Sequence, residues 1–283
     1  MEKHNVTKKN KLVAPFLKWV GGKRQLMSSI NEQLPKKYSV YYEPFVGGGA
    51  VLFHLQPTKA IINDSNSELT NVYRIIKDDV ENLIDSLKIH KNDAEYFYQI
   101  RSLDRKGEFH LLSDVERASR IIFLNKTCYN GLYRVNNSGE FNAPFGKYKN
   151  PNIVNETTLR AVSKYLNTND VKIFTGDYEA ALKNIDKNAF VYFDPPYHPA
   201  SETSNFTGYV KGGFDIYDQT RLRNICNELN QRGIKFLLSN SATDFIKDLY
   251  SEYNINVVKA TRSINSDGEK RGEVDEVLIK NYE

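Results

Sequence analysis

Strand-like runs in this chain fall into two groups, one before residue 66 and one after residue 170, with helical spacing between them. In the first group, residues 40–45 (VYYEPF) form a short strand-like run that ends at Gly47, Gly48 and Gly49. Residues 50–55 (AVLFHL) then read as a helix and residues 60–63 (AIIN) as a second buried strand. From Asn66 to Arg120 the period changes: Leu69, Val72, Tyr73 and Ile76, then Leu83 and Leu87, then Tyr96, Tyr98 and Ile100 recur at helical spacing, with no convincing strand. The alternating texture returns in residues 171–174, 190–193, 236–239 and 257–260, which read as strands, with Asp218 expected to cap a helix that Gly233 ends. A chain of 283 residues supports one large core, or one core with a small inserted module. A sheet split in this way therefore predicts a single α/β domain built from residues 1–65 and 156–283, with residues 66–155 inserted into it.

Composition narrows the function classes. No apolar run reaches membrane-spanning length, and residues 1–11 are polar and basic without an apolar signal core, so they read as a frayed terminus and a cytoplasmic location is the expectation. Cys128 and Cys226 are too few for a disulfide framework, and neither has a metal-ligand neighbour, so no metal is expected. A net charge of +4 permits a polyanionic partner without demanding one.

The strongest chemical signal is Asp194-Pro195-Pro196-Tyr197 at the end of the apolar run 189–193, where open α/β sheets place their sites. The two prolines offer carbonyl acceptors on a stiff backbone, Asp194 adds a carboxylate and Tyr197 a ring face. Such groups suit an exocyclic amine whose lone pair is delocalised: two acceptors on its N–H bonds localise the pair and stabilise the charge that grows as it attacks a sulfonium methyl. The plainer reading is a strand-terminating turn. Glu43-Pro44-Phe45 and the following glycines, Gly47 to Gly49, form a turn where a ligand can approach the backbone, although it is not a G-x-G-x-x-G fingerprint. Asp64, fifteen residues after Gly49, has the placement of a carboxylate that binds ribose hydroxyls; a surface turn is its plainer reading. Trp19, the single tryptophan, stands beside Gly21-Gly22 and Lys23; the lysine suits a ligand carboxylate, and the indole could equally be a packing anchor.

Residues 129–148 (YNGLYRVNNSGEFNAPFGKY) place Asn137-Ser138-Gly139 between two aromatic-rich arms, which predicts a hairpin or a long ordered loop. Lys126, Arg134, Lys147 and Lys149 stand there against the single acid Glu140, so an exposed aromatic and basic hairpin suited to a DNA groove is expected. A solvated basic hairpin is the alternative.

FLKWVGGK, EPFVGGGA and FDPPY, in this order with a helical insert, resemble the Dam-type DNA adenine methyltransferases. The hairpin motif and the late segments TRSINSDG and VDEVL extend that resemblance over nearly the whole chain. It implies a Rossmann-like sheet with an inserted helical target-recognition domain, and S-adenosylmethionine between the FLKWVGGK and EPFVGGG segments. Trp19, Lys23, Glu43, Phe45, Gly47, Gly49, Asp64, Asp177 and Asp194 would contact the cofactor, with Tyr178 near the adenine ring. It also implies double-stranded DNA as partner, flipping of an adenine onto Tyr197, and GATC as target, read by Lys18, Tyr129, Asn130, Leu132, Arg134 and Pro144 with Lys147 and Lys149 on phosphates. Tyr133 and Lys147 stand at positions that vary within the pattern. A restriction endonuclease would be a genetic partner only. Related enzymes acting on RNA or on a protein glutamine favour Asn at the position of Asp194, and a catalytically silent relative would have lost the tetrapeptide or the glycines.

Overall fold

The computed structural model describes residues 9–19, 21–199, 213–261 and 273–283. Most of the polar N-terminal stretch (residues 1–8) and most of the TRSINSDG segment (residues 262–268) lie outside them. In chain order the elements are α1 (Met27–Gln33), β1 (Tyr41–Glu43), α2 (Ala50–Leu55), β2 (Lys59–Asp64), α3 (Ser67–Asp78), α4 (Val80–Lys88), α5 (Ala94–Arg101) and α6 (Asp114–Thr127). They continue with α7 (Glu156–Thr168), β3 (Asp170–Thr175), α8 (Tyr178–Leu182), β4 (Phe190–Phe193), α9 (Ile216–Gln231), β5 (Lys235–Ser241), α10 (Asp244–Leu249), β6 (Asn254–Thr261) and β7 (Glu273–Lys280).

Among the described residues seven strands form one sheet in the order β3-β2-β1-β4-β5-β7-β6. The first five pair in parallel, and β7 runs antiparallel between β5 and β6. Side chains alternate between two cores, as a period of two requires. Tyr41, Ala60, Ile62, Phe190, Tyr192, Leu237 and Leu278 face one core with α2, α3, α6 and α7; Tyr42, Val191, Phe193, Phe236, Leu238, Val277 and Ile279 face the other with α8, α9 and α10. Helices on both faces of a mostly parallel sheet make this the expected α/β, Rossmann-like architecture. Strand β4 is buried along its whole length, which explains its unbroken apolar run.

The helical segment shares the first of these cores. Leu83, Phe97, Ile121 and Phe141 belong to the same buried cluster as Tyr41 and Phe190, so the insert has no separate interior. Its helices begin where polar caps stop the preceding loops: Asn66 accepts from Leu69 N, Asp93 from Tyr96 N, and Ser113 forms a reciprocal box with Glu116.

Two expectations are corrected and one strand is added. Asp215, and not Asp218, is the N-cap of α9; Asp218 sits three residues on and returns a bond to the cap backbone, so the two acids share one capping box. Gly233 follows that helix with φ +70°, as expected. Strand β7, whose acidic positions obscure its alternation, was not foreseen in the sequence. In the hairpin, Tyr133 and Phe141 are 5% and 1% exposed, because each fills the first core, so the aromatic content is mostly internal and only Tyr129 is well exposed.

Candidate active site

The sheet order reverses between β1 and β4, and crevices open at such switch points beyond the carboxyl ends of the strands. Glu43 ends β1 and Asp194 follows β4, so the two motifs flagged in the sequence meet here. Glu43, Val46, Gly47, Gly48, Asp194, Trp19 and Lys23 line one cleft with Gly21 and Gly22.

Lys23 is 4% exposed. Its Nζ lies 2.8 Å from Asp194 Oδ1, donates to Gly21 O at 2.6 Å and stands 4.7 Å from the Tyr197 ring centroid. Ser239, on the neighbouring β5, also donates to Asp194 Oδ1, at 3.0 Å. Burial pushes the Asp194 carboxyl above its ordinary range, while Lys23 and Ser239 oppose that rise. The rest of the tetrapeptide is held equally firmly. Gln219 donates to Pro196 O at 2.9 Å and accepts from Asn240, whose Oδ1 takes His198 N; Tyr197 donates its hydroxyl to Glu276 at 2.8 Å. Ser239, Asn240 and Glu276 were missed in the sequence, yet the end of a strand adjacent to β4 is where such support belongs.

Glu43 is 2% exposed and accepts the Tyr41 hydroxyl at 2.8 Å. Burial raises its carboxyl to about 8, against the Tyr41 bond and with the Asp194 charge adding to the rise. A proton is thus held more tightly in the folded state, so this group costs stability as pH climbs from about 5 through 8. Glu43→Gln should remove that slope, gaining as much as about 4 kcal/mol relative to wild type at pH 9 over pH 5, at about 1.4 kcal/mol for each pKa unit. Urea melts at the two pH values measure it; parallel stability curves for the two proteins would refute it.

Gly47 has φ +47°, and a Cβ there would lie 2.8 Å from the Trp19 indole; a Cβ on Gly48 would lie 2.9 Å from Trp19 Cβ. The glycine turn therefore packs directly on Trp19, whose other neighbour is the Tyr133 ring, stacked at 5.0 Å. Asp64 lies behind the turn: its Oδ2 accepts Gly47 N at 3.0 Å and its Oδ1 accepts Asn66 N at 2.9 Å, while burial raises its carboxyl to about 6. Phe45 packs at 4.9 Å on Tyr178 and at 5.9 Å on Phe214. The Tyr178 hydroxyl is buried without a partner among the described residues. Asp177 is the N-cap of α8, and Arg221 binds both its oxygens at 2.7 and 2.9 Å, so the structure places it in an ion pair apart from Lys23 and Asp194.

The expected DNA-facing residues converge at the hairpin base. The backbone N and O of Lys18 pair with the buried side chain of Asn125, which also donates to Gly131 O. Gly131 adopts φ +67°, and a Cβ there would strike Lys18, so the two segments touch backbone to side chain. Tyr129 N donates to Pro144 O, Leu132 N to Tyr129 O, and Lys18 lies 5.2 Å over the ring of Tyr148. Tyr129, Asn130, Pro144, Lys147 and Lys149 are exposed. Arg134 is half-buried, with Nε donating to Asn142 Oδ1 at 2.6 Å.

The donor set fits S-adenosylmethionine. The acidic pair Glu43 and Asp194 suits a sulfonium and an ammonium, Lys23 a carboxylate, and the Tyr178 hydroxyl, without a partner among the described residues, a polar ring edge. Among the described residues no cluster of His, Cys, Asp and Glu could hold a metal ion, and no helix is long and apolar enough to cross a membrane.

Comparison with known proteins agrees with this chemistry. The chain is 47% identical over 281 residues to the Type II methyltransferase M1.LlaDCHI of Lactococcus lactis subsp. cremoris, covering 98% of this chain and 99% of that protein. It is 46% identical over 290 residues to the Type II methyltransferase M.MjaIII of Methanocaldococcus jannaschii, covering 95% and 99%. To the DNA adenine methylase of Escherichia coli K12 it is 37% identical over 268 residues, 93% of each chain. Residues 19–264 match the D12 class of N6 adenine-specific DNA methyltransferases. With that match and these identities, the chain belongs to the D12 class and is an S-adenosylmethionine-dependent DNA adenine methyltransferase.

Proposed function

We propose that this enzyme methylates the adenine of GATC in double-stranded DNA after flipping that base out of the helix, with residues 66–155 serving as its target-recognition module. The observation that carries the reading is the junction at Lys18 and Trp19. Lys18 is tied through Asn125 to the base of the hairpin, while Trp19 is a wall of the cleft that holds Lys23 and Asp194. A reader of bases and a methyl-transfer cleft are thus one residue apart.

S-adenosylmethionine supplies an electrophilic methyl group when bound. Lys23 and Ser239 both occupy Asp194 Oδ1, so Oδ2 is the oxygen that takes one N–H of the target amine. The Pro196 carbonyl is committed to Gln219, which assigns the second N–H to the Pro195 carbonyl. Two acceptors draw the lone pair out of the ring and stabilise the charge on the attacking nitrogen. The Tyr197 ring, fixed through Glu276, offers a stacking face for the flipped base and so offsets part of the unstacking cost of a few kcal/mol. Lys23, Glu43, Gly47, Gly49, Asp64 and Trp19 form the cofactor site, with Phe45, Tyr178 and Asp177 at its adenine end. A cytoplasmic location suits a chromosomal or phage DNA substrate, and a cognate restriction endonuclease would be a genetic partner only, a reading supported by two relatives that are Type II methyltransferases.

Digestion of DNA from expressing cells with endonucleases sensitive to adenine methylation tests the target: GATC protection is expected, and protection elsewhere would reject it. Arg134→Ala should relax discrimination at one guanine by about 1–3 kcal/mol, because a planar guanidinium matches O6 and N7 of guanine. Lys149→Ala should instead weaken every duplex alike and lower the salt dependence by about one phosphate. Equal losses on all duplexes for Arg134→Ala would make this arginine a backbone contact.

A further inference from the structure

The two arms of the hairpin are joined by a short backbone ladder only: Tyr129 N to Pro144 O, Asn142 N to Arg134 O and Asn136 N to Glu140 O. Outside the sheet, its arms share isolated bridges at Cys128–Phe145 and Val135–Phe141, and a two-stranded ribbon of that kind is marginal in water. A 3-10 turn, Ser102–Arg105, adds bonds from outside the hairpin. Asp104 Oδ2 accepts Phe141 N at 2.7 Å, and Arg105 Nη2 donates to Phe141 O at 2.7 Å. Phe141 is thus bonded at both backbone groups, as a neighbouring strand would bond it, but by side chains. Arg101 donates to Ala143 O at 3.2 Å. Arg120, 3% exposed, closes the arrangement with Nη2 2.7 Å from Asp104 Oδ2.

Between the two clamped residues stands Asn142. Its N donates to Arg134 O at 2.9 Å, its Oδ1 accepts Arg134 Nε at 2.6 Å, and its O accepts Arg134 Nη2 at 3.2 Å. One edge of the guanidinium is therefore fixed to an arm that Asp104 and Arg105 fix in turn. An unrestrained arginine loses rotamer freedom on meeting a base, and this chain of bonds removes that freedom before DNA arrives.

We infer that Asn142, held by the Asp104–Arg105 clamp, is a positioning residue for Arg134, so that sequence discrimination depends on groups that read no base themselves. The inference rests on the reading of Arg134 as a base contact. It predicts that Asn142→Ala loses discrimination at the same base pair as Arg134→Ala, by roughly tenfold, since each 1.4 kcal/mol is a factor of ten. Because the two act in series, the double variant should lose no more than Arg134→Ala alone. Asp104→Asn should move discrimination in the same direction at the same base pair.

The test is kcat/KM for methyl transfer to a GATC duplex and to duplexes altered at each base pair, for the single and double variants, with cofactor affinity measured by calorimetry. Cofactor affinity within about twofold of wild type shows that the fold survives in the half-exposed Asn142→Ala protein, whatever becomes of the clamp variant. Uniform loss on every duplex, or an additive double variant, overturns the inference while leaving Arg134 its role. No discrimination change in Arg134→Ala itself would reject the underlying reading and the inference with it.

Discussion

Replacing Asp194 by Ala should reduce methyl transfer by about 10²–10³-fold or more, the scale of losing one aimed electrostatic group in a dry site, while duplex affinity stays within about twofold. The carboxylate sits where β4 ends, bonded to Lys23 and Ser239, and burial raises its pKa despite both partners. It touches no group on the hairpin, where the basic residues stand, and phosphate contacts dominate DNA affinity. Single-turnover transfer of labelled methyl, beside filter binding of the same duplex, separates the two quantities. A parallel fall in both would move Asp194 from the chemistry to the assembly of the DNA surface.

Lys23→Ala should affect more than one property. Its ammonium is enclosed by Gly21 O, Asp194 and the Tyr197 ring, so truncation leaves the Asp194 carboxylate without its cation. Breaking a buried pair from one side costs about 3–5 kcal/mol, and the lower end applies because the Asp194 side chain is 22% exposed. The sign of the pH effect follows. Burial already favours the neutral acid of Asp194, so removal of the opposing charge raises its pKa further and shifts the acid limb of kcat/KM to higher pH. On the proposed reading, in which Lys23 meets the ligand carboxylate, cofactor affinity should fall at least about tenfold. Calorimetry and a pH–rate profile check both; an unchanged affinity with an unmoved acid limb would leave Lys23 a structural counter-ion only.

Much of the architecture was legible because it obeys short periods. The run FVYF reads as a strand buried on both faces, and the change from period two to helical spacing after Asn66 locates the helical segment that begins with α3. The meeting of Glu43 with Asp194 follows from where the sheet reverses, once both are recognised as strand ends. Other features have no period to read. Strand β7 buries Val277, Leu278 and Ile279 but begins with acids, so its alternation is weak. Asp215 and Asp218 are both suitable caps, and only the fold decides which one stands outside the helix. The Asp104–Phe141 bond joins residues 37 apart through a side chain and a backbone amide, an arrangement that leaves no pattern along the chain. Asp177 illustrates the reverse: its motif was visible, but its pairing with Arg221 was not.

The stacking of Trp19 between the glycine turn and Tyr133 makes the protein its own optical reporter. With a single indole in the chain, all tryptophan emission comes from one place, where a wall of the cleft that holds Lys23 and Asp194 meets a ring of the hairpin. Loss of ring overlap and a change in the polarity above Gly47 and Gly48 act on the same excited state. Fluorescence from the unmodified enzyme therefore registers the hairpin and the cleft in one channel, without an introduced label.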